Sequence, residues 1–150
     1  MKIQIKNRYN SNIIWDGEAT NIKDAVQQAV KAEANLSWAD LSGAFMPMAN
    51  LYKADLSGAN LSGANLSGAD LSNANLYGAN LSKANLSGVF MPMANLSKTD
   101  LSKANLSGAD LSWADLTGVK IQEDQQKQLL NCLGVVSSKK KSVKKKKVNV

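Results

Sequence analysis

From Ala34 to Gly118, apolar and polar positions recur every five residues in seventeen consecutive pentads: ANLSW, ADLSG, AFMPM, ANLYK, ADLSG and onward. The third residue of each pentad is Leu, except at Met46 and Met91. The first is Ala except at Val89 and Thr99, and the second is Asn or Asp except at Phe45 and Phe90. Five is neither the helical nor the strand period. Within a pentad, small–polar–large alternates as in a strand, which puts Ala and Leu on the same side. Two further residues, mostly Ser then Gly, break the alternation and suit a corner, where Gly accepts strained backbone angles. Each pentad is thus a short side with a bend, and repetition winds the chain into a coil with Ala and Leu inside.

The flanks have ordinary periods. KIQIK at 2–6 alternates as a strand, and IIW at 13–15 reads as the returning strand of a hairpin. Residues 21–33 read as a helix, with Asn21 as its cap and Ile22, Ala25, Val26 and Ala29 along one face. This helix runs straight into the first pentad, so its apolar face is expected to lid the first coil and hide an open edge. After Gly118, VKIQEDQQKQLLNCLG puts Ile121, Leu129, Cys132 and Leu133 on or near one face before Gly134, which predicts a helix capping the other end. The expected organisation is a hairpin-and-helix cap at 1–33, the repeat at 34–118, a capping helix at 119–136 and a Lys-rich tail at 137–150. The tail has few groups to bury and much like charge, so disorder is expected there.

The A(D/N)LXX pattern resembles the pentapeptide-repeat family over 85 of the 150 residues. The resemblance implies an all-β solenoid: a right-handed quadrilateral β-helix with four pentads to a twenty-residue coil, and about four coils here. Coils would stack about 4.8 Å apart through backbone hydrogen bonds, with the leucines as inner core. The hairpin-and-helix leader is similar to that of some bacterial and phage members. For the C-terminal helix a structural lid is the first expectation. The resemblance adds a second, a homodimer through that end.

Composition narrows the chemistry. There is no histidine, which removes the commonest general base, the commonest metal ligand and the usual nucleophile–base triads. Cys132 is the only cysteine, so no internal disulfide forms, and a reducing, cytoplasmic setting is expected. No apolar run reaches the ~18 residues of a membrane span, and MKIQIKNRYN is not a secretory signal. The recurring N-x-S triplets are a by-product of ANLS, and the spaced glycines lack the Gly-Lys-Ser/Thr of a phosphate loop. The six array aspartates, Asp40, Asp55, Asp70, Asp100, Asp110 and Asp115, never fall in adjacent coils of one column. Neither catalysis, a metal site nor a cofactor is expected.

FMPMANL occurs at 45–51 and again at 90–96, and these two stretches hold both Phe, both Pro and every Met but the first. Met46 and Met91 replace core leucines, a tolerated exchange. Phe45, Met48, Phe90 and Met93 take outward positions, and Pro47 and Pro92 take the corner. Met93 and Trp113 lie one coil apart and should stack, with Phe90 on the same face. Such an apolar cluster marks a contact. The chain's own C-terminal helix is its first expected occupant, and a docking or dimer partner the second. For Phe45 and Met48 the expected neighbour is the leader helix.

The formal charge of +6 sits in the tail, since Lys139, Lys140, Lys141, Lys144, Lys145, Lys146 and Lys147 account for seven positive charges and leave −1 without them. Solvation is the plain reading, and phosphate contact with nucleic acid or lipid headgroups the functional one. The leading expectation is a non-catalytic scaffold with a protein partner, followed by a nucleic-acid-associated protein anchored by its tail. The resemblance adds a third, a DNA mimic that binds DNA gyrase. Six Asp against four Lys (53, 83, 98, 103) leave the array without the acidic stripe this requires.

Overall fold

Every parallel bridge of the array joins residues twenty apart, from Asp40↔Asn60 to Asp100↔Lys120, in a computed structural model that describes residues 1–134. The Leu N–H donates to the Asx carbonyl of the next coil, as from Leu61 to Asn80 at 2.7 Å and from Leu66 to Asn85 at 2.9 Å. The Asx N–H of that coil bonds back to Ala, as from Asn60 to Ala39 at 2.8 Å. Adjacent coils therefore satisfy one another's main chain, and each coil has four sides and four corners.

The corner has a single design. The Ala N–H that opens a pentad donates to the Leu carbonyl three residues earlier, as from Ala64 to Leu61 at 3.0 Å. The fifth residue of the pentad has a positive φ at all seventeen corners, from 55° at Met48 to 69° at Gly108. A positive φ at the third turn residue alone is the signature of a type II turn. Asn or Asp at the second position supports this turn, because its side-chain oxygen accepts the N–H of the residue two places on. Asn65 Oδ1 accepts both the N–H of Ser67 at 3.0 Å and its hydroxyl at 2.8 Å.

The core is the leucine column, with Met46 and Met91 standing in for Leu without exposure. Each buried Leu contributes roughly 1.5–3 kcal/mol. Thr99 replaces an inward Ala and is buried, and its hydroxyl donates to Leu76 O at 2.7 Å. A buried hydroxyl with a partner is tolerated where an unpaired one is not.

At the N-terminus β1 (Lys2–Lys6) pairs antiparallel with β2 (Ile13–Glu18), so the return strand extends three residues beyond the predicted 13–15. Helix α1 (Ile22–Lys31) follows, and the Asn21 side chain accepts the Asp24 N–H at 2.9 Å. Past β1, Asn7 bridges Ala39 in antiparallel sense, and Lys6 O accepts the Asp40 N–H at 2.8 Å. One side of the first coil is thereby paired with main chain, and Ile5, Val26 and Ala29 join its core.

The C-terminal helix is shorter than predicted. A 3-10 turn at Glu123–Gln125 leads into α2 (Gln126–Cys132), and Gly134 follows with a φ of 68°. Leu129 and Cys132 are buried against the last coil, as their spacing predicted.

Candidate interaction site

An ordinary pentad and a cassette differ at two linked positions. In ANLSG the second residue accepts a hydrogen bond that the fourth donates. In AFMPM and VFMPM the second residue is Phe, which has no acceptor, and the fourth is Pro, which has no N–H. Phe and Pro therefore enter together without orphaning a polar group. Proline is also the preferred residue at the second place of a type II turn. The corner bonds survive, from Ala49 N–H to Met46 O and from Ala94 N–H to Met91 O, both at 3.3 Å.

What the exchange alters is the surface. The Phe90↔Asp110 bridge and the Met93 N–H bond to Ser112 O at 2.9 Å stack the second cassette directly on the Trp113 pentad. Phe90 is 47 % exposed, Met93 59 % and Trp113 90 %. Tyr52 lies on the same side two coils earlier and is exposed as well. The residues brought together are those the sequence singled out.

Their expected occupant is elsewhere. Helix α2 lies across the open end of the solenoid rather than over this side. Gln125 Nε2 donates to Leu101 O and Ala104 O, both at 2.9 Å, and its Oε1 accepts the N–H of Lys103 at 3.0 Å and of Gln122 at 2.9 Å. Cys132 O accepts the Leu111 N–H at 3.2 Å, and its thiol donates to Leu106 O. The last coil has no successor to pair with, so its main chain and its leucines compete for the helix and win. The expected cover of Phe90, Met93 and Trp113 by the C-terminal helix is corrected accordingly, among the described residues.

The first cassette is corrected in the same way. Helix α1 reaches it through polar ends: Lys23 Nζ donates to Pro47 O at 3.4 Å, and Gln27 Oε1 accepts the Asn50 N–H at 2.8 Å. Phe45 and Met48 themselves stay 66 % and 78 % exposed. Met48 lies over Gly68 of the next coil. The two cassettes are on neighbouring sides, as their 45-residue spacing predicts, because Phe45 stacks on Asn65 and Phe90 on Asp70.

Aspartates of the array serve as turn acceptors: Asp110 Oδ1 takes the Ser112 hydroxyl and N–H, which hold its carboxyl below the ordinary value. Thr117 does the same for Asp115. Burial acts to raise the Asp100 carboxyl, but Ser102 and the charge of Lys120 outweigh it, so the net shift is downward. Burial pushes the Cys132 thiol above its ordinary value, which keeps it protonated and inert. A groove of about 820 Å³ between Lys103–Ala109 and α2 is lined largely by amides, with Gln122, Gln125, Gln128 and Asn131 prominent. The seven tail lysines, Lys139, Lys140, Lys141, Lys144, Lys145, Lys146 and Lys147, lie outside the described residues.

Two contacts had no clear signal in the sequence. Gln125 makes its four bonds from within a run of similar amides, EDQQKQ, where nothing marks it out. At the other end the Tyr9 and Trp38 rings lie 5.7 Å apart, and Arg8 donates to Gly58 O at 2.9 Å. Trp38 lies over Gly58, where a Cβ would come within 2.4 Å of its ring.

The family model for pentapeptide repeats matches in eight copies, over residues 32–68, 49–88 and 93–122, more than half of the chain. The chain belongs to the pentapeptide repeat family. Members of this family form right-handed quadrilateral β-helices, in keeping with the twenty-residue stacking seen here. The gap in the match, 89–92, falls on the second cassette of this pentapeptide repeat protein.

Among solved structures, a pentapeptide repeat protein from the cyanobacterium Cyanothece 51142 is 34% identical with a TM-score of 0.46, and the match covers 57% of this chain and 54% of that one. A pentapeptide repeat protein of the Arabidopsis thaliana thylakoid lumen is 32% identical with a TM-score of 0.43, over 65% and 75% of the two chains. A plasmid-mediated fluoroquinolone resistance protein is 25% identical with a TM-score of 0.33, over 66% and 65%. No curated protein sequence matches the chain. No described helix is long and apolar enough to cross a membrane.

Proposed function

We propose that this pentapeptide repeat protein is a non-catalytic interaction module that engages a protein partner through Phe90, Met93 and Trp113. On this reading the chain is a rod of slightly over four coils (34–118), closed by a small α/β cap (1–33) and by α2 (Gln126–Cys132) with the turn before it, working in the cytoplasm. Proteins of this family are generally non-enzymatic scaffolds. The observation that carries the reading is Trp113, 90 % exposed at a corner with a φ of 60°, where Gly is the unstrained choice. A bulky apolar side chain held at such a place, with Phe90 and Met93 beside it, does nothing for the core. Phe45 and Met48 form a smaller patch of the same make on the next side.

The test is a variant carrying Phe90→Asn, Met93→Gly and Trp113→Gly, each the residue that ordinary pentads use. Proteins cross-linked to the full chain should be absent from the variant, with the melting temperature kept or raised. An unchanged set of cross-links sinks the reading. Sedimentation of both chains separates a foreign partner from a homodimer, including one made through the C-terminal end.

A second reading rests on the sequence of the tail: seven lysines within 139–147 make it a phosphate anchor for nucleic acid. Salt-dependent duplex binding by the full chain, lost when the chain ends at Val136, is its expected result. Gyrase binding by DNA mimicry has weaker support, because the array carries no acidic stripe. Failure to inhibit gyrase supercoiling removes it.

A further inference from the structure

The side opposite the apolar patch has a different character. Its strands stack through the Asn80↔Asp100 and Asp100↔Lys120 bridges. Lys98 stands at the corner entering the 99–103 side and Lys103 at the corner leaving it. Lys83 lies one coil from Lys103, its N–H bonded to Ser102 O at 2.9 Å, and Lys120 lies one coil beyond Asp100. All four lysines are exposed. Among the described residues the salt bridges join only Met1 to Glu18 and Lys2 to Asp16, so none of the four is within ion-pair distance of a carboxylate, although the charge of Lys120 acts on Asp100. Asp100 is bonded to Ser102, and Asp40 lies in the same column three coils earlier.

Lys83, Lys98 and Lys103 also have φ values of 60°, 58° and 62°. An L-residue is disfavoured in that region, and glycine, which holds eight of the seventeen corners, is not. These lysines thus accept backbone strain. Only Lys98 gains an internal contact, with its ammonium 5.3 Å from the Tyr77 ring centre. Charge placed at a cost to the fold, and unpaired within it, is available to something outside.

We propose that Lys83, Lys98, Lys103 and Lys120 form a phosphate-binding face for duplex nucleic acid on the rod itself. This takes its partner chemistry from the tail reading but none of its residues. Nucleic acid fits better than an anionic bilayer, because interfacial binding needs apolar groups beside the cations. Here Tyr77, against Lys98, is the exposed aromatic in contact with the four, and the larger cluster of Phe90, Met93 and Trp113 belongs to the other column.

The test is anisotropy of a fluorescent duplex across a salt series, with the full chain as reference. Lys83→Gly/Lys98→Gly/Lys103→Gly puts glycine at corners that accept it, so the variant should melt no lower than the parent. Each phosphate contact adds about 0.9 to the slope of log affinity against log salt. The triple variant should therefore bind with a slope shallower by roughly 2–3 while the tail is intact. A chain with the seven tail lysines changed to Gln should keep a residual salt-sensitive affinity that the triple change removes. Lys53→Gly, on the apolar side, should leave the slope unchanged.

A triple variant with the parental slope overturns the rod face and leaves the tail reading standing. A slope lowered as much by Lys53→Gly as by any one of the three shows diffuse charge and overturns it too. If the full chain binds no duplex, both fall, and so they do if it binds only vesicles containing phosphatidylserine.

Discussion

The pentad at 64–68, ANLSG, and the cassette at 44–48, AFMPM, make the same corner by different means. In the first, Asn65 ties the turn by accepting the N–H and hydroxyl of Ser67. In the second, Pro47 sets the turn through its ring and no side-chain acceptor is needed. The inward residues, Leu66 and Met46, are both fully buried. The comparison separates what the coil requires from what it tolerates. An apolar inward residue and a positive φ at the corner are required, whereas the polar ladder on the outside is one solution of two. That is why this fold can present Phe and Met at its surface without redesigning its core.

The inward column is where the two pentads should agree most, and where the largest effect is expected. Leu66→Asp places a carboxylate among leucines with no partner, costing upwards of about 4 kcal/mol. Met46→Leu restores the ordinary residue and should fall within about 1 kcal/mol of the parent. Denaturant melts of both decide the matter, and an Asp variant that melts with the parent would mean that the column is not the core.

The outward positions should behave oppositely in the two pentads. Asn65→Ala leaves the Ser67 N–H and hydroxyl without their acceptor and should cost about 1–2 kcal/mol. Phe45→Asn supplies an acceptor opposite a proline with no N–H, so its effect should stay within about 0.5 kcal/mol. The sharper form is a double-mutant cycle. Asn65→Ala measured in a Ser67→Pro background should lose most of its cost, a coupling of about 1 kcal/mol. Additive changes would mean that Phe and Pro occur together for some other reason.

Much of this was legible in the sequence, for a definite reason. The Leu at the third place of all but two pentads and the Gly at many fifth places report on requirements repeated seventeen times, and repetition separates a rule from noise. The ends lack that advantage. Asn21 was readable as a cap because capping is local, and α1 starts where it says. Gln125 was not, since its bonds reach back to Leu101 and Ala104, and no local pattern encodes an acceptor more than twenty residues away. The same limit explains the uncovered cluster. Spacing identifies Leu129 and Cys132 as one face of a helix but cannot weigh the rod's open end against Phe90 and Trp113 as rivals for it.

The corner itself offers a smaller contrast. Met48 has a φ of 55° and little contact beyond Gly68, so Met48→Gly relieves backbone strain and should stabilise by about 0.5–1 kcal/mol. Trp38 has a φ of 61° but lies over Gly58 and beside Tyr9. There the same change removes packing as well as strain, so Trp38→Gly should bring no gain. A higher melting temperature for Trp38→Gly than for Met48→Gly would show that aromatic contact to be idle.

The smallest effect concerns which acceptor the turn uses. Asn and Asp make the same corner, but Asp titrates. The Ser112 hydroxyl and N–H depress the folded-state value of Asp110 below its unfolded one. A depressed carboxylate adds stability that is fully present above the unfolded value and is lost as pH falls through the folded one. Asp110→Asn keeps the turn without the titration, so parent and variant should diverge only below the ordinary carboxylate range, with the parent losing more as acid is added. Thermal melts from neutral pH down to about pH 2 give the comparison, and the difference should be slight because Asp110 is well solvated. The matching change at Asp115, held low by Thr117, should show the same sign. A difference that is largest at neutral pH would mean that the charge is serving something other than the turn, and Asp110, next in its column to Phe90, would then belong to the contact surface.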